Sequence, residues 1–336
     1  MRKKNLDRRK SLEKKVFRKR TKRRIYLRIR NKLKQRPQSK IQSLPRNYRR
    51  RNFNRRKTIH LPAKFSFINN PTQVLKTFAE FRIYALKGIN VLLDFRSVLI
   101  MTPDVIPFLL AKVSKYSRVI NIHSNRPSVD IIDNMLLESG FYKTVGLTDH
   151  KSNIGLLETH KSKIVDTEVA QKARILTSTK TLGDPDMKIH ALYRTLIECM
   201  ANTKKHAYVN DPMQSWWLSV YHNPDNKITS FSFCDNGVGI FKSTKIEKLA
   251  KFAIKIGLTS NVSILQKILE GKIQSSTGLP YRGKGLPKIY SDYKSNSLKK
   301  LCIAANDTFA DFDNGTFIDL KDELNGTFLY WEIWPN

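Results

Sequence analysis

The first 57 residues carry 27 lysines and arginines against two acids, Asp7 and Glu13, a net charge of +25. Runs such as RKKNLDRRK, KKVFRKRTKRR and RNYRRRNFNRRK repel themselves and hold too few apolar residues for a core. This arm (1–57) is therefore expected to stay disordered or frayed until a polyanion neutralises it. The whole 336-residue chain has a net charge of +34, so the other 279 residues carry only +9. With 40% hydrophobic residues overall, that body is long and apolar enough for two domains, which excludes a wholly disordered basic protein. Phe17, Tyr26, Tyr48 and Phe53 lie among the arginines of the arm. Arginine both forks onto phosphate and stacks on bases, so nucleic acid, RNA or DNA, is the expected partner. The expected contacts are Arg18, Arg20, Arg23, Arg24, Arg49, Arg50, Arg51, Arg55 and Arg56. An acidic protein or an anionic membrane surface is the alternative reading, and a solubilising tail the plainest.

Cys199, Cys234 and Cys302 stand far apart with no CxxC or Cys/His spacing, so neither a zinc site nor a disulfide framework is written here. A reducing, cytoplasmic location is expected. The longest apolar region, 89–111, is broken by Asp94, Arg96 and Asp104, too much charge for a membrane span. No apolar segment follows the basic start, which argues against a secretory signal, and its charge density is unlike an organelle transit peptide.

After Leu61 a regular alternation sets in. Pro71–Leu86 spaces its apolar residues for an amphipathic helix begun at proline, INVLLDF (89–95) reads as a buried strand, and 103–116 as a helix. SRVINIHS (117–124) reads as a second strand and 128–141 as another helix. Strands separated by helices need crossover connections, so residues 58–155 are expected to form a small α/β domain. The order of VLLDF, the loop at Met101–Pro103, the following helix, VINIHS and a helix ending LLESGF resembles a STAS domain, the family of bacterial anti-sigma-factor antagonists. The resemblance implies a protein-contact module. Phosphorylatable members open the helix with a serine. The nearest residue here is Thr102, followed by Pro103 and Asp104 in place of the serine-glycine pattern, and its plainer reading is an N-cap.

The second half, 156–336, reads as α+β. A long periodic stretch (187–208) is followed by SWWLSVYHN (215–223) and KITSFSFCDN (227–236) around Pro224-Asp225-Asn226, a hairpin signature. Helices are expected at 244–256 and 261–270 and after the small-residue loop 271–285. Strands are expected at 299–306, 307–313 and 327–334.

Four groups in this half carry chemistry. Glu198, Asn202, Lys205 and His206 fall within about a third of a helical circumference. An amide oxygen there suits Mg²⁺, and a carboxylate one turn earlier can deprotonate a water or hydroxyl; a Glu-to-Lys pairing on a solvated face explains the set equally. Asp235-Asn-Gly237-Val-Gly239 ends an apolar strand, where a buried carboxylate can accept from an exocyclic amine, though a hairpin turn would also use it. Gly283-Lys284-Gly285-Leu286 opens a helix and can cradle phosphate, or is simply a glycine-rich helix entry. Asn325-Gly326-Thr327 precedes the last strand and is also a common turn signal.

In this order the four resemble the N box, the two glycine boxes and the final box of the GHKL ATP-binding family, which includes gyrases, heat-shock chaperones, histidine kinases and the MutL proteins. The resemblance covers roughly residues 160–336 and implies a Bergerat-type α/β sandwich binding ATP and Mg²⁺. By that resemblance Asn202 holds Mg²⁺, Lys205 contacts phosphate, and His206 belongs to the ATP-binding set. Asp235 takes the adenine amine, and Gly237 and Gly239 let the chain pass close to the base. Gly283, Lys284, Gly285 and Thr327 complete the ATP contacts, and Glu198 stands where hydrolysing members and the anti-sigma-type serine kinases place the general base. The second glycine box has one glycine fewer than GxGxG versions. No phosphoacceptor histidine region precedes this half, so a two-component sensor kinase is not expected. The expected function is an ATP-dependent switch or ATPase docking on nucleic acid through the arm. The alternatives are an anti-sigma-type serine/threonine kinase with a fused STAS regulator, or a nucleic-acid-binding scaffold with a structural ATP site.

Overall fold

The computed structural model describes residues 56–147, 155–206, 215–241, 260–272 and 285–335, apart from the side chains of 205 and 206. Within them the protein is a mixed α/β structure, in which residues 56–147 are called the first unit and residues 155–335 the second. The first opens with strand β1 (Arg56–His60), which takes Arg56 and Lys57 into a sheet two residues before the expected end of the arm. Then follow β2 (Lys64–Phe65), helix α1 (Pro71–Lys87), β3 (Asn90–Asp94) and β4 (Ile100–Met101). A 3-10 turn (Pro103–Val105) leads into α2 (Ile106–Tyr116), and β5 (Ile122–Ser124), α3 (Asp130–Glu138) and α4 (Phe141–Val145) close the unit. β1, β3 and β5 form a parallel sheet with β3 central, and β2 pairs in parallel with β4.

The expected helix 103–116 is split because Pro103 and Pro107 cannot donate into a regular first turn. Thr102 occupies the N-cap position of the 3-10 turn in extended conformation, but its side chain makes no cap hydrogen bond, so the expected cap is not realised. The expected strand 117–124 shortens to three residues, since 117–120 form a turn off the end of α2.

The second unit holds β6 (Leu157–Ser162), α5 (Thr167–Lys180), α6 (His190–His206), β7 (Trp216–Asn223), β8 (Ile228–Asp235), α7 (Asn261–Leu269), α8 (Gly285–Lys294), β9 (Lys299–Asp311) and β10 (Thr316–Ile333). Its five strands pair antiparallel in the order β6-β7-β8-β10-β9. β6 and α5 come from the polar opening of this half, where no elements were expected. Asp166 starts α5 by accepting from the Val169 amide at 3.1 Å. The expected helix 244–256 lies outside the described residues.

Where three closing strands were expected there are two long ones. β9 runs on through Asn306, whose φ of 55° kinks the strand without ending it. The hairpin turn is instead at Asp313-Asn314-Gly315, where Asp311 Oδ1 accepts from the Asp313 and Asn314 amides at 3.2 and 3.1 Å. Asn325-Gly326 sits inside β10 as a bulge opposite Asn306: Leu324 faces Asn306, Thr327 faces Ala305, and two extra residues lie between.

Both faces of the five-stranded sheet are buried. Trp216, Leu218, Phe233, Ile303, Leu329 and Trp331 point into a core shared with α5 to α8. The alternate residues Trp217, Cys234, Cys302, Ala304, Phe328 and Tyr330 belong to a second core that continues without a break into the first unit. There α2 lies across β7 and β8, α1 lies against β10, and Phe67 meets Phe328 with ring centroids 4.4 Å apart. Burial on both faces explains near-continuous apolar runs such as LCIAA and FLYW. All three cysteines are buried thiols. Among the described residues no helix is long and apolar enough to cross a membrane.

Candidate functional site

The apolar spacing of α6 turns Leu192, Leu196, Cys199 and Met200 onto the sheet. That orientation leaves Glu198 and Asn202, four residues apart, half-buried on the side that meets the start of α8. A β-carbon built on Gly285, the first residue of α8, would lie 2.5 Å from Glu198 Oε2 and 3.4 Å from Asn202 Nδ2. The backbone entering α8 therefore abuts the carboxylate-amide pair, and only glycine leaves Glu198 in place. Arg194, one turn before Glu198, ties the helices together through Asp292, with Nη2 to Oδ1 and Oδ2 both 2.7 Å, while Lys288 reaches Asp292 Oδ1 at 3.3 Å. The same α6–α8 clamp positions the helix entry against the pair.

Asp235 ends β8 and is 7% exposed. Its Oδ1 accepts from the Gly237 amide at 2.6 Å and the Thr327 amide at 3.3 Å. Burial pushes its pKa up to about 6, against those bonds and the charge of Lys112. Gly326 passes directly over it: at φ 121°, a β-carbon there would sit 1.9 Å from the Asp235 carbonyl oxygen. Gly326 and Thr327 thus press against the Asp235–Gly237 segment across the β8–β10 ladder. The buried Cys199 thiol has its pKa raised by burial and then by the charges of both Glu198 and Asp235.

Gly239 has φ 79°, and the place a β-carbon would take is filled by the Asn306 side chain, 2.5 Å away at Oδ1. Asn306 Oδ1 accepts from the Phe241 amide at 3.0 Å, and its Nδ2 donates to the Val238 carbonyl at 2.8 Å. It holds the glycine loop from β9, opposite the bulge that contains Gly326.

Of the expected residues, Glu198, Asn202 and Gly285 converge, and Asp235, Gly237 and Thr327 form a second group. Gly239 stands in the loop leaving that second group. Lys205 and His206 are in the last turn of α6, and their side chains lie outside the described ones. Gly283 and Lys284 lie outside the described residues, as do Arg18, Arg20, Arg23, Arg24, Arg49, Arg50, Arg51 and Arg55; Arg56 is exposed on β1. Among the described residues no group of three or more His, Cys, Asp and Glu side chains could hold a metal ion. A Mg²⁺ ion would thus need phosphate oxygens and water besides Asn202, which is how that ion is usually held.

Sequence reasoning missed Asn306 and Lys112. An Asn inside an apolar strand run signals a left-handed residue, and a Lys inside PFLLAKV signals a buried cation needing a partner. Lys112, on α2 of the first unit, is 5% exposed and donates to Asn236 Oδ1 at 3.3 Å and the Asn325 carbonyl at 3.1 Å. A scan of protein-family models finds none that matches the chain, and a search of curated proteins finds no match.

Proposed function

We propose that residues 156–336 form a Bergerat-type ATP·Mg²⁺ site of the GHKL kind, joined to a STAS-like unit at 58–155. The observation that carries this reading is the meeting of the Glu198–Asn202 pair with the start of α8, taken together with a buried Asp235 gripped by the Thr327 amide. Members of the four sequence groups, scattered over about 130 residues, meet in two places, Glu198 and Asn202 with Gly285 and Asp235 with Gly326 and Thr327, which mere turns and surface ion pairs give no reason for. The fit to a nucleotide is chemical: a buried carboxylate for an exocyclic amine, a helix start for phosphate, and an amide oxygen for Mg²⁺.

In this reading Asp235 orients the base and the α8 entry faces the phosphates. Mg²⁺, when bound at Asn202, neutralises charge on the phosphate oxygens. Glu198 takes a proton from water as its oxygen bonds to the γ-phosphorus. The bridging P–O bond breaks, and its electron pair leaves with ADP. If a serine or threonine hydroxyl replaces water, the same geometry gives a kinase. The arm supplies docking on nucleic acid, and the STAS-like unit supplies protein contact.

Calorimetry with Mg²⁺·ATP tests the site. Asp235→Asn should weaken binding by roughly tenfold to a hundredfold, as expected for a charged hydrogen bond lost to the base. Asn202→Ala should remove mainly the Mg²⁺-dependent part. Ordinary Mg²⁺·ATP affinity in both variants would sink the assignment. Incubation with γ-labelled ATP then separates the reactions: label on protein means a kinase, free phosphate alone an ATPase.

A further inference from the structure

Resting on that nucleotide reading, we propose that the first unit completes the base end of the site, with Lys112 as a positioning residue for Asp235. The two residues flanking the critical pair are both held from α2. Asn236, next to Asp235, receives Lys112 Nζ on Oδ1 and donates through Nδ2 to the Ala111 carbonyl at 3.1 Å. Asn325, next to Gly326, receives the same ammonium on its carbonyl. One side chain from the first unit thus staples the strand end of β8 to the bulge of β10, the two places from which Asp235 is gripped. A lysine only 5% exposed is costly to place, and its ammonium lies over the ring of Phe108, one turn earlier on α2, with Nζ 4.8 Å from the centroid.

Charge adds to geometry. Burial draws the Lys112 pKa down, while Cys234 and then Asp235 draw it up and Arg82 of α1 opposes them. In return Lys112 favours the Asp235 carboxylate against its own burial. Among the described residues, the titratable groups at this corner include the Cys234 thiol on β8, which also feels Lys115 of α2, and the Cys199 thiol of α6, which also feels Glu198. Lys112 bears on Asp235 as a cation from the opposite unit. A base amine needs Asp235 ionised as an acceptor, so anything that lifts α2 off the sheet would lower affinity at the base while leaving the phosphate end intact.

The test uses the full chain and two probes, Mg²⁺·ATP and inorganic tripolyphosphate with Mg²⁺. Lys112→Met keeps the stem and removes the ammonium. It should weaken Mg²⁺·ATP by about tenfold or more and leave tripolyphosphate within about twofold. The pH below which Mg²⁺·ATP affinity falls should also rise, because Asp235 loses a neighbouring positive charge. A merely structural lysine would weaken both probes together and leave that midpoint in place, which would overturn the proposal. Should Lys112→Met fail to fold, Asn236→Ala cuts the same staple from the sheet side, and unchanged Mg²⁺·ATP affinity there would also overturn it. Failure of wild-type protein to bind Mg²⁺·ATP would instead strike the nucleotide reading itself.

Discussion

Gly285 stands so close to Glu198 that a β-carbon on it would lie 2.5 Å from Oε2. The neighbour is the far end of a flexible side chain, so Gly285→Ala should fold with a stability change of about 1 kcal/mol or less. The methyl would push the carboxylate away from the α8 entry. Turnover of ATP should fall by about a hundredfold, in the range of lost general-base catalysis, while Mg²⁺·ATP affinity changes far less. Single-turnover assays beside calorimetry check this, and equal losses in both would remove Glu198 from a catalytic role.

At Gly326 the obstacle is backbone. The methyl of Gly326→Ala would meet the Asp235 carbonyl oxygen at 1.9 Å, at a φ of 121° that alanine rarely adopts. The bulge must open, costing about 3 kcal/mol or more, and the Thr327 amide must leave Asp235. Chemical denaturation should show the lost stability together with lost nucleotide affinity. A variant of wild-type stability would mean that the bulge relaxes freely.

Asn306 separates conformation from bonding. Asn306→Gly keeps the left-handed φ of 55° and loses both hydrogen bonds to the 238–241 loop; Asn306→Ala loses the bonds and strains the backbone. Two bonds to backbone groups imply about 2 kcal/mol for glycine and about 1 kcal/mol more for alanine. Urea unfolding of the two variants reads the difference, and alanine matching glycine would show that the kink is not strained.

How much of this was legible in the sequence divides along a physical line. Local signals came through: the proline start of α1, the Pro224-Asp225-Asn226 hairpin and the helix carrying Glu198 all depend on residues near one another. The three Asn-Gly pairs are alike in sequence, yet 236–237 is a strand end, 314–315 a hairpin turn and 325–326 a bulge. What separates them is the strand lying opposite, which no local pattern encodes. For the same reason β6 and α5 were invisible in a polar stretch, and the Lys112 contacts cross 124 and 213 residues of chain.

The arm makes a prediction that leaves the site aside. If its arginines neutralise some six phosphates, nucleic-acid affinity should drop by about a thousandfold from 50 to 200 mM salt. Removing residues 2–55, which leaves β1 whole, should abolish that binding and spare ATP binding. Fluorescence anisotropy with labelled RNA and DNA measures both, and retained affinity in the truncated chain would place the polyanion site on the body.

Asp104 gives the fold a pH signature of its own. It is 1% exposed, with Oδ2 accepting from the Phe67 and Ile68 amides at 2.5 and 3.0 Å and Oδ1 from Ser66 Oγ at 3.2 Å. Burial nevertheless pushes its pKa up to about 6 from an ordinary 3.8. The folded state holds this proton more tightly than the unfolded chain, so the contribution to stability is fully present below about pH 3.8 and is lost as pH rises through about 6. Asp235 has the same sign. Asp94 has the opposite one, since Arg96 and then Asn125 hold its carboxyl well below the usual range, and its contribution is lost as pH falls. Asp104→Asn keeps an oxygen for the two amides and removes the titration. The variant should gain on wild type between pH 4 and pH 7 by on the order of 2 kcal/mol. Urea unfolding at unit steps of pH measures the difference, and a constant gap between the two proteins would mean that the Asp104 carboxyl titrates alike in the folded and unfolded chains.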